Sequence, residues 1–434
     1  MPEPKQVAPE KVAPADSPGR TTDRLDPLPP SARLLHIGLP KTGTTALQHA
    51  ASEQRPELLR QGVRYPGRSL NHRVAISALM QRRWGWAGPE SSTPSLRAWR
   101  DLLAELETDP ERRGWIDHEF ISESDDATAA RFAAELGRSM HVVITLRSFG
   151  SLLTSSWQQF LKTGTSHTFE HWLRQVLTDP PNLKVTPTFH RRNDQAGLVR
   201  RWAEVAGADQ VTVIIVDKHR PWVMPEAFED LLGLSRGTLS PDRADGLTGN
   251  RSLTAAESEL LRRLNLLVKQ GGLGWRQYER LIRNGLAARL LAARTPTPEE
   301  PPVRLPDWAR EVALERGAAF RDAIAASGVR VVGDLDQLAT APPSGEVPRP
   351  ESVPLDAAVE ALAGTISVAA GQGIDLERGL PPAERAERAT AAVPTRELAT
   401  VLGRRIAGRL GAGADRARSA VTTRLALRTG RGSG

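Results

Sequence analysis

Residues 34–48 read LLHIGLPKTGTTALQ, an apolar run that leads into a short turn and then into a helical sequence. Gly43 lets the backbone approach an anion closely, the first free N–H groups of the following helix point at it, and Lys41 adds a positive charge. The stretch predicts a phosphate-binding loop made of Lys41, Thr42, Gly43, Thr44 and Thr45. A plain strand-to-helix connection is the alternative.

The spacing within this loop argues against a P-loop NTPase. That class requires GxxxxGK[ST], in which the lysine follows the glycine, whereas Lys41 precedes Gly43. No obvious Mg²⁺-binding acid lies near the loop. A P-loop kinase or NTPase is therefore the weaker alternative.

The amino-acid composition excludes several classes of protein and of functional site. The 434 residues include no cysteine, which excludes disulfides, thiolate catalysis and cysteine zinc sites. The first 20 residues lack the apolar segment of a secretory signal, and no stretch approaches the roughly 18 to 20 apolar residues of a membrane span. We expect a cytoplasmic protein without a transmembrane segment.

The net charge of +7 comes from the C-terminal end of the chain. From residue 403 onward there are eight arginines against one acid, Asp415. Such a tail could contact nucleic acid or anionic membrane, but Arg/Ala/Gly ends are common in high-GC bacterial proteins and we expect neither partner. The sequence carries no signal for the oligomeric state.

Four segments are predicted along the chain. Residues 1–32, with eight prolines and no aromatic residue, read as a disordered leader. Residues 33–340 form the main domain, and 341–354 have linker composition. Residues 355–434 read as an Ala/Arg-rich tail, partly helical or disordered.

Strands alternate with helices inside the main domain, which predicts an α/β fold with a mainly parallel central sheet flanked by helices. Ligand sites are expected at the carboxyl ends of the strands. Thr254 and Glu257 form a predicted capping box, followed by a helix whose apolar face we assign to the core: Leu260, Leu261, Leu264, Leu267 and Val268. The candidate strands are Leu34–Gly38, Trp115–Ile121, His141–Leu146, Val211–Val216 and Val329–Val332.

A second anion site is suggested after the third of these strands. The run HVVITLR ends in Arg147, and Ser155 lies eight residues later in the next predicted helix. An arginine fork and a serine hydroxyl can converge on one phosphate. A solvated structural arginine is the alternative interpretation of Arg147 on its own.

The loop PKTGTT followed by R-x7-S resembles the two phosphate motifs of the sulfotransferase family that uses 3'-phosphoadenosine-5'-phosphosulfate (PAPS). The likeness to bacterial sulfotransferase-like proteins extends over about residues 33–340. It implies a P-loop-like sulfotransferase fold, PAPS as co-substrate, its product 3',5'-adenosine bisphosphate (PAP), no metal, and a small-molecule, glycan or lipid acceptor. Lys41 and the loop would hold the 5'-phosphate, and Arg147 and Ser155 the 3'-phosphate.

The sequence departs from the animal cytosolic members of this family at two points. Ala46 stands where those enzymes carry a tryptophan that stacks on adenine, and their RKG segment has no literal match. Arg251 is our candidate replacement for the latter. Trp157 and Trp202 are candidates for adenine stacking, with core packing as the equal alternative.

The acceptor must lose a proton, and two residues are candidates for the general base. Glu119 is the first, because it lies on a predicted strand where the family places its base. A structural role for Glu119 is the equal alternative. His72, which follows a YPG turn, is the second candidate. The equal alternative is that His72 is an ordinary loop histidine. His118 and Glu119 match the start of the zinc-binding motif HExxH. Ser122 stands where that motif requires its second histidine, so the motif is incomplete.

Three functions remain open at this point. The leading one is transfer of a sulfuryl group from PAPS to a hydroxyl or amine. A catalytically silent sulfotransferase-like protein that binds a nucleotide is the second, and a P-loop kinase is the third.

Overall fold

The structure is a computed structural model that describes residues 24–82, 92–178, 182, 188–240 and 251–371. Six strands in this part form one sheet in the order β2-β3-β1-β4-β5-β6, with every neighbouring pair parallel. The predicted fold class, α/β with a mainly parallel sheet flanked by helices, is confirmed. The strands are β1 (Arg33–His36), β2 (Val63–Arg64), β3 (Arg113–Asp117), β4 (Met140–Leu146), β5 (Val211–Ile215) and β6 (Arg330–Val332).

Helices cover the sheet and continue beyond its edge. One segment, Glu279–Ala287, is a π-helix. Short 3₁₀ turns occupy Glu119–Glu123, Gly137–Ser139, Ala208–Gln210 and Leu335–Ala339. The α-helices are α1 (Thr44–Glu53), α2 (Arg55–Arg60), α3 (Arg73–Leu79), α4 (Arg97–Glu107), α5 (Asp126–Leu136), α6 (Phe149–Leu161), α7 (Phe169–Val176), α8 (Phe189–Asn193), α9 (Gln195–Ala206), α10 (Val223–Leu232), α11 (Ala255–Gly271), α12 (Trp275–Tyr278), α13 (Ala288–Ala293), α14 (Asp307–Ala325) and α15 (Leu355–Ala369).

The central strands β1, β4 and β5 are wholly buried because both faces of the sheet carry apolar side chains. Leu35, Val142 and Val213 belong to a core shared with α5, α9 and α14. Leu34 and Val143 point to the opposite face and pack with α1 and α10. A third apolar cluster joins α6, α7, α11 and α13 without a strand. The sheet is therefore a middle layer, as the continuous apolar runs of its strands predict.

Strand order locates the ligand crevice. β1 lies between β3 and β4, so the chain leaves β1 toward one edge and later returns to fill the other. In open parallel sheets such a switch point opens a crevice beyond the carboxyl ends of the strands. The loops after β1, β3 and β4 all end there.

The predicted strand Trp115–Ile121 was too long at its carboxyl end. β3 ends at Asp117, and a 3₁₀ turn begins at Glu119. Two contacts stop the strand: His118 Nδ1 accepts from Phe120 N–H at 3.2 Å, and Ser122 N–H donates to Ile37 O at 3.1 Å. Glu119 thus lies in a turn folded over the β1 loop and not on the strand where the sequence analysis placed it.

Residues on both sides of the predicted segment 33–340 contact the core. Leu28 N–H donates to Leu231 O at 2.9 Å, and Leu28 and Ala32 lie in the core beneath α10. At the other end, Val347 and Val353 pack against the third cluster. The chain divides into compact units Met1–Ala369 and Ala370–Gly434. Most of the predicted leader and the arginine-rich tail lie outside the described residues.

Helix α11 begins as its sequence predicts. Thr254 Oγ1 accepts from Glu257 N–H at 3.2 Å, and the Glu257 carboxylate accepts from Thr254 N–H at 2.9 Å, which confirms the capping box. Leu261 is buried in the core. Leu267 is 65% exposed, so its assignment to the core was wrong. The helix turns this residue outward because only one narrow stripe meets α6.

Candidate functional site

The loop after β1 has the backbone that its sequence predicts. Gly43 has φ 91° and directly precedes α1, which begins at Thr44 without a side-chain cap. The N–H groups of the first helical turn therefore face out of the helix end, where an anion can accept from them. Lys41 has φ 71°, a left-handed conformation that costs about 1 kcal/mol for a non-glycine residue.

The side chain of Thr42 turns inward, away from the loop surface. Its hydroxyl donates to Leu39 O at 2.6 Å and lies 2.7 Å from Thr145 Oγ1 on β4. Thr44 is also buried, whereas Thr45 is exposed. The hydroxyl of Thr42 thus fixes the loop to the sheet, and only the backbone of Thr42 remains available for an anion.

Arg147 lies against the loop. Its Nη1 donates to Lys41 O at 2.8 Å, which brings the end of β4 onto the turn after β1. Gln195 of α9 donates to Arg147 O at 2.8 Å and holds that backbone in place. Ser155 lies on α6, where its hydroxyl donates to Ser151 O and Leu152 O at 3.2 Å. Two candidate anion residues, Lys41 and Arg147, are therefore side by side.

The cleft around Lys41 is electropositive. Burial lowers the pKa of Lys41, while the nearby Glu119 carboxylate raises it. Three further cations, Arg192, Arg147 and Arg283, lower that pKa again. Like charges gathered in a half-buried cleft favour the binding of an anion, because it offsets their repulsion. Among these cations, Arg192 pairs with Glu123 at 2.8 Å.

Glu119 meets the same loop from the other side. Gln48 of α1 donates to Glu119 Oε2 at 3.1 Å and to Asp117 Oδ1 at 2.8 Å, and its own oxygen accepts from Asn71 at 2.9 Å. The approach depends on Gly38, since a Cβ there would lie 2.7 Å from Glu119 Cα. The helix that carries the loop thus also orients the candidate base.

A buried polar network beneath the cleft was missed by the sequence analysis. His36 Nδ1 lies 2.8 Å from Asp117 Oδ2, and His36 Nε2 lies 3.2 Å from Thr145 Oγ1. The network runs from Thr42 through these groups to Gln48, and it joins the β1 loop to the Glu119 segment. The signal in the sequence was a histidine at an interior position of an otherwise apolar strand.

His72 is held by backbone groups on both sides of its ring. Asp117 N–H donates to His72 Nδ1 at 2.9 Å, and His72 Nε2–H donates to Pro66 O at 2.9 Å. Burial lowers the pKa of His72 to about 4 despite the nearby Asp117 carboxylate. Both ring nitrogens thus have backbone partners, and a role for His72 as a base stays a prediction.

Arg251 is engaged in an ion pair with a helix start. Its two terminal nitrogens donate to the two oxygens of Glu257 at 2.7 Å, and Nη2 also donates to Leu290 O at 2.7 Å. The guanidinium thus stabilises the start of α11 and is not directed to the β1 loop by any of these contacts. Trp157 and Trp202 are both buried in apolar clusters, which is the packing alternative considered for them.

Metal and membrane features were also sought in the part of the chain that the structure describes. There, no group of three histidine or acidic side chains is arranged to hold a metal ion. Over the same residues, no helix combines the length and apolar character needed to cross a membrane.

Comparison with known proteins adds one structural likeness. No protein-family model matches the chain, and no curated protein does. The chain is similar to the crystal structure of a sulfotransferase from Alicyclobacillus acidocaldarius, with 17% identity and a TM-score of 0.36. The match covers 56% of this chain and 98% of that one. The fold and site define an α/β protein with cationic side chains gathered after the first and fourth strands of its sheet.

Proposed function

We propose that the protein is a PAPS-dependent sulfotransferase that transfers a sulfuryl group to a hydroxyl or amine. The contact of 2.8 Å between Arg147 Nη1 and Lys41 O carries this proposal. It brings together two loops whose sequences each resemble a phosphate motif of that family. A donor with a 3'- and a 5'-phosphate needs two such anion sites next to each other.

The residues of the cleft fit such a donor. PAPS would supply a sulfuryl group on a good phosphate leaving group. The N–H groups at the start of α1 and the ammonium of Lys41 would hold the 5'-phosphate and stabilise the charge that develops on it. Arg147 would hold the 3'-phosphate with its guanidinium fork, together with Ser155 after rotation of its hydroxyl.

Glu119 is the proposed general base. As the acceptor oxygen bonds to sulfur and the bond from sulfur to the 5'-phosphate oxygen breaks, the acceptor proton would pass to this carboxylate. Gln48 orients the carboxylate, and Gly38 allows it to approach the loop that carries Lys41. The base and the charge-stabilising lysine are thus linked through α1 and the loop before it.

Calorimetry with PAP, ADP and ATP tests the donor class. We expect PAP to bind most tightly, and Arg147→Ala to remove most of the preference for PAP over AMP, about 10- to 100-fold. Arg200→Ala is the matched control, because Arg200 lies on the exposed face of α9, where it pairs with Glu204. A preference for ATP with Mg²⁺ would exclude the proposal.

Glu119→Gln tests the base. The substituted amide can still accept from Gln48, so we expect PAP affinity to be retained. With an acceptor identified, turnover measured as PAP release should fall about 100-fold or more, since the proton acceptor is gone. Turnover equal to that of the parent protein would remove Glu119 from the chemistry.

A further inference from the structure

The backbone of the β1 loop is paired with β4 only at its beginning. Thr145 N–H donates to Gly38 O at 2.6 Å, and Leu39 N–H donates to Thr145 O at 2.8 Å. The next residue, Pro40, has no N–H and cannot extend this ladder. Beyond Pro40, other groups must hold the loop at a fixed distance from β4.

Two side chains near the end of β4 contact this later part of the loop. Arg147 Nη1 donates to Lys41 O at 2.8 Å. The hydroxyls of Thr42 and Thr145 lie 2.7 Å apart, and both threonines are buried. Thr145 belongs to β4 and Arg147 directly follows that strand, so one strand end both holds the loop and carries the proposed 3'-phosphate ligand.

The hydrogen bonds around the two hydroxyls have one consistent direction. Thr42 donates its only hydroxyl hydrogen to Leu39 O at 2.6 Å, so its oxygen accepts in the contact with Thr145. Thr145 therefore donates to Thr42, and its own oxygen accepts from His36 Nε2–H at 3.2 Å. His36 Nδ1 lies 2.8 Å from Asp117 Oδ2, which holds the ring in place. The Thr145 hydroxyl thus acts as donor and acceptor at once, which an apolar side chain of the same shape cannot do.

The contact fixes the loop next to a strained residue. Lys41 has φ 71°, a left-handed conformation that the surrounding structure must hold in a non-glycine residue. Thr42 follows directly, so its bond to Thr145 holds this turn at a set distance from Arg147. That distance also separates the two proposed phosphate sites. A ligand with two phosphates depends on it, whereas a ligand with one phosphate does not.

We propose that Thr145 is a positioning residue that sets the spacing of the two anion sites, and with it the preference for a donor that carries both a 3'- and a 5'-phosphate. This inference rests on the proposed function. Thr145 acts through Thr42 on the loop that would hold the 5'-phosphate. Arg147, two residues further along the chain, would hold the 3'-phosphate.

Calorimetry with PAP and AMP tests the role of Thr145. Valine has the shape of threonine without the hydroxyl, so Thr145→Val should weaken PAP binding about tenfold and leave AMP binding within about twofold. Thr145→Ser keeps the hydroxyl. We expect this variant to retain the parent protein's ratio of PAP to AMP affinity within about twofold.

Thr212→Val is the matched control. Thr212 is a buried threonine on the neighbouring strand β5, and its hydroxyl lies 2.9 Å from Nε2 of the buried His141. The substitution removes the same kind of contact near the amino end of β5, away from the β1 loop. Both valine variants should unfold at lower urea concentration than the parent protein, but only Thr145→Val should change the ratio of PAP to AMP affinity.

Thr42→Val removes the contact from the loop side and serves as the test if Thr145→Val does not fold. We expect a similar fall in the ratio of PAP to AMP affinity. The double variant Thr42→Val/Thr145→Val should lower that ratio no further than either single variant, because all three lack the same bond.

Several results would overturn the inference. Equal losses of PAP and AMP affinity in Thr145→Val would do so, because the hydroxyl would then shape the 5'-phosphate loop alone. An unchanged ratio in that variant, an equal change in Thr212→Val, or a loss in Thr145→Ser as large as that in Thr145→Val would also contradict it. Failure of the parent protein to bind PAP is a different outcome, since it removes the proposed function itself.

Discussion

Gly38→Ala should destabilise the protein by about 2–5 kcal/mol and displace the candidate base. A Cβ at this position would lie 2.7 Å from Glu119 Cα and 2.8 Å from Glu119 O, inside van der Waals contact. The turn cannot retreat, because Gly38 O accepts from Thr145 N–H at 2.6 Å and Leu39 N–H donates to Thr145 O at 2.8 Å. Overpacking of this kind costs about 1–3 kcal/mol, and left-handed φ costs an alanine about 1–2 kcal/mol more.

Gly62→Ala separates these two contributions. Gly62 has φ 84°, close to the 93° of Gly38, but a Cβ there would meet nothing within 4 Å. We expect this control to lose only the backbone part, about 1–2 kcal/mol of unfolding free energy in urea. Turnover should fall in Gly38→Ala and not in Gly62→Ala. Equal unfolding free energies for the two variants would contradict this expectation. They would mean that the Glu119 segment moves away from the added methyl group with no loss of stability.

Arg294→Ala should cost about 3–5 kcal/mol of unfolding free energy, the loss expected when one partner of a buried ion pair is removed. The Arg294 side chain is almost fully buried and donates to Glu257 at 2.8 Å, to Asp356 at 2.6 Å and to Glu300 at 2.9 Å. These carboxylates belong to the start of α11, the start of α15 and the segment before α14. One guanidinium therefore joins three parts of the helical layer.

The neighbouring arginine provides an internal comparison. Arg251→Ala also removes a partner of Glu257, so it should destabilise the protein while leaving the preference for PAP over AMP unchanged. A loss of that preference would return Arg251 to the 3'-phosphate site predicted from the sequence. Arg200→Ala, which breaks an exposed pair on α9, should change stability by about 0.5 kcal/mol or less.

Lowering the pH should weaken the ion pairs that Arg294 forms, beginning with the one to Glu257. Burial raises the pKa of Glu257, but hydrogen bonds from Arg251, Thr254 and Arg294 outweigh it and the pKa lies below its ordinary value. A carboxylate of this kind stabilises the fold above the ordinary glutamate pKa of about 4.3. Its contribution is lost as the pH falls through the lower pKa of the folded state. The difference in unfolding free energy between the parent protein and Arg294→Ala, measured in urea, should therefore become smaller as the pH falls.

Local sequence determined five of the six strands apart from their exact ends, the backbone of the loop after β1 and the cap of α11. Each of these features depends on residues that are close in sequence, within a single turn or a single strand. Gly43 permits the left-handed turn before α1, and the apolar runs at β4 and β5 require burial on both faces. The capping box needs only Thr254 and its partner three residues later. Such features are present in the chain before it folds.

Tertiary packing decided which contacts the candidate side chains make. His72 and Arg251 carry suitable chemistry, yet contacts with Pro66 and Glu257 occupy them in the folded chain. The loop at Lys41 was readable in the chain because adjacent residues build its backbone. Its neighbours were not, since their positions depend on contacts between residues far apart in sequence.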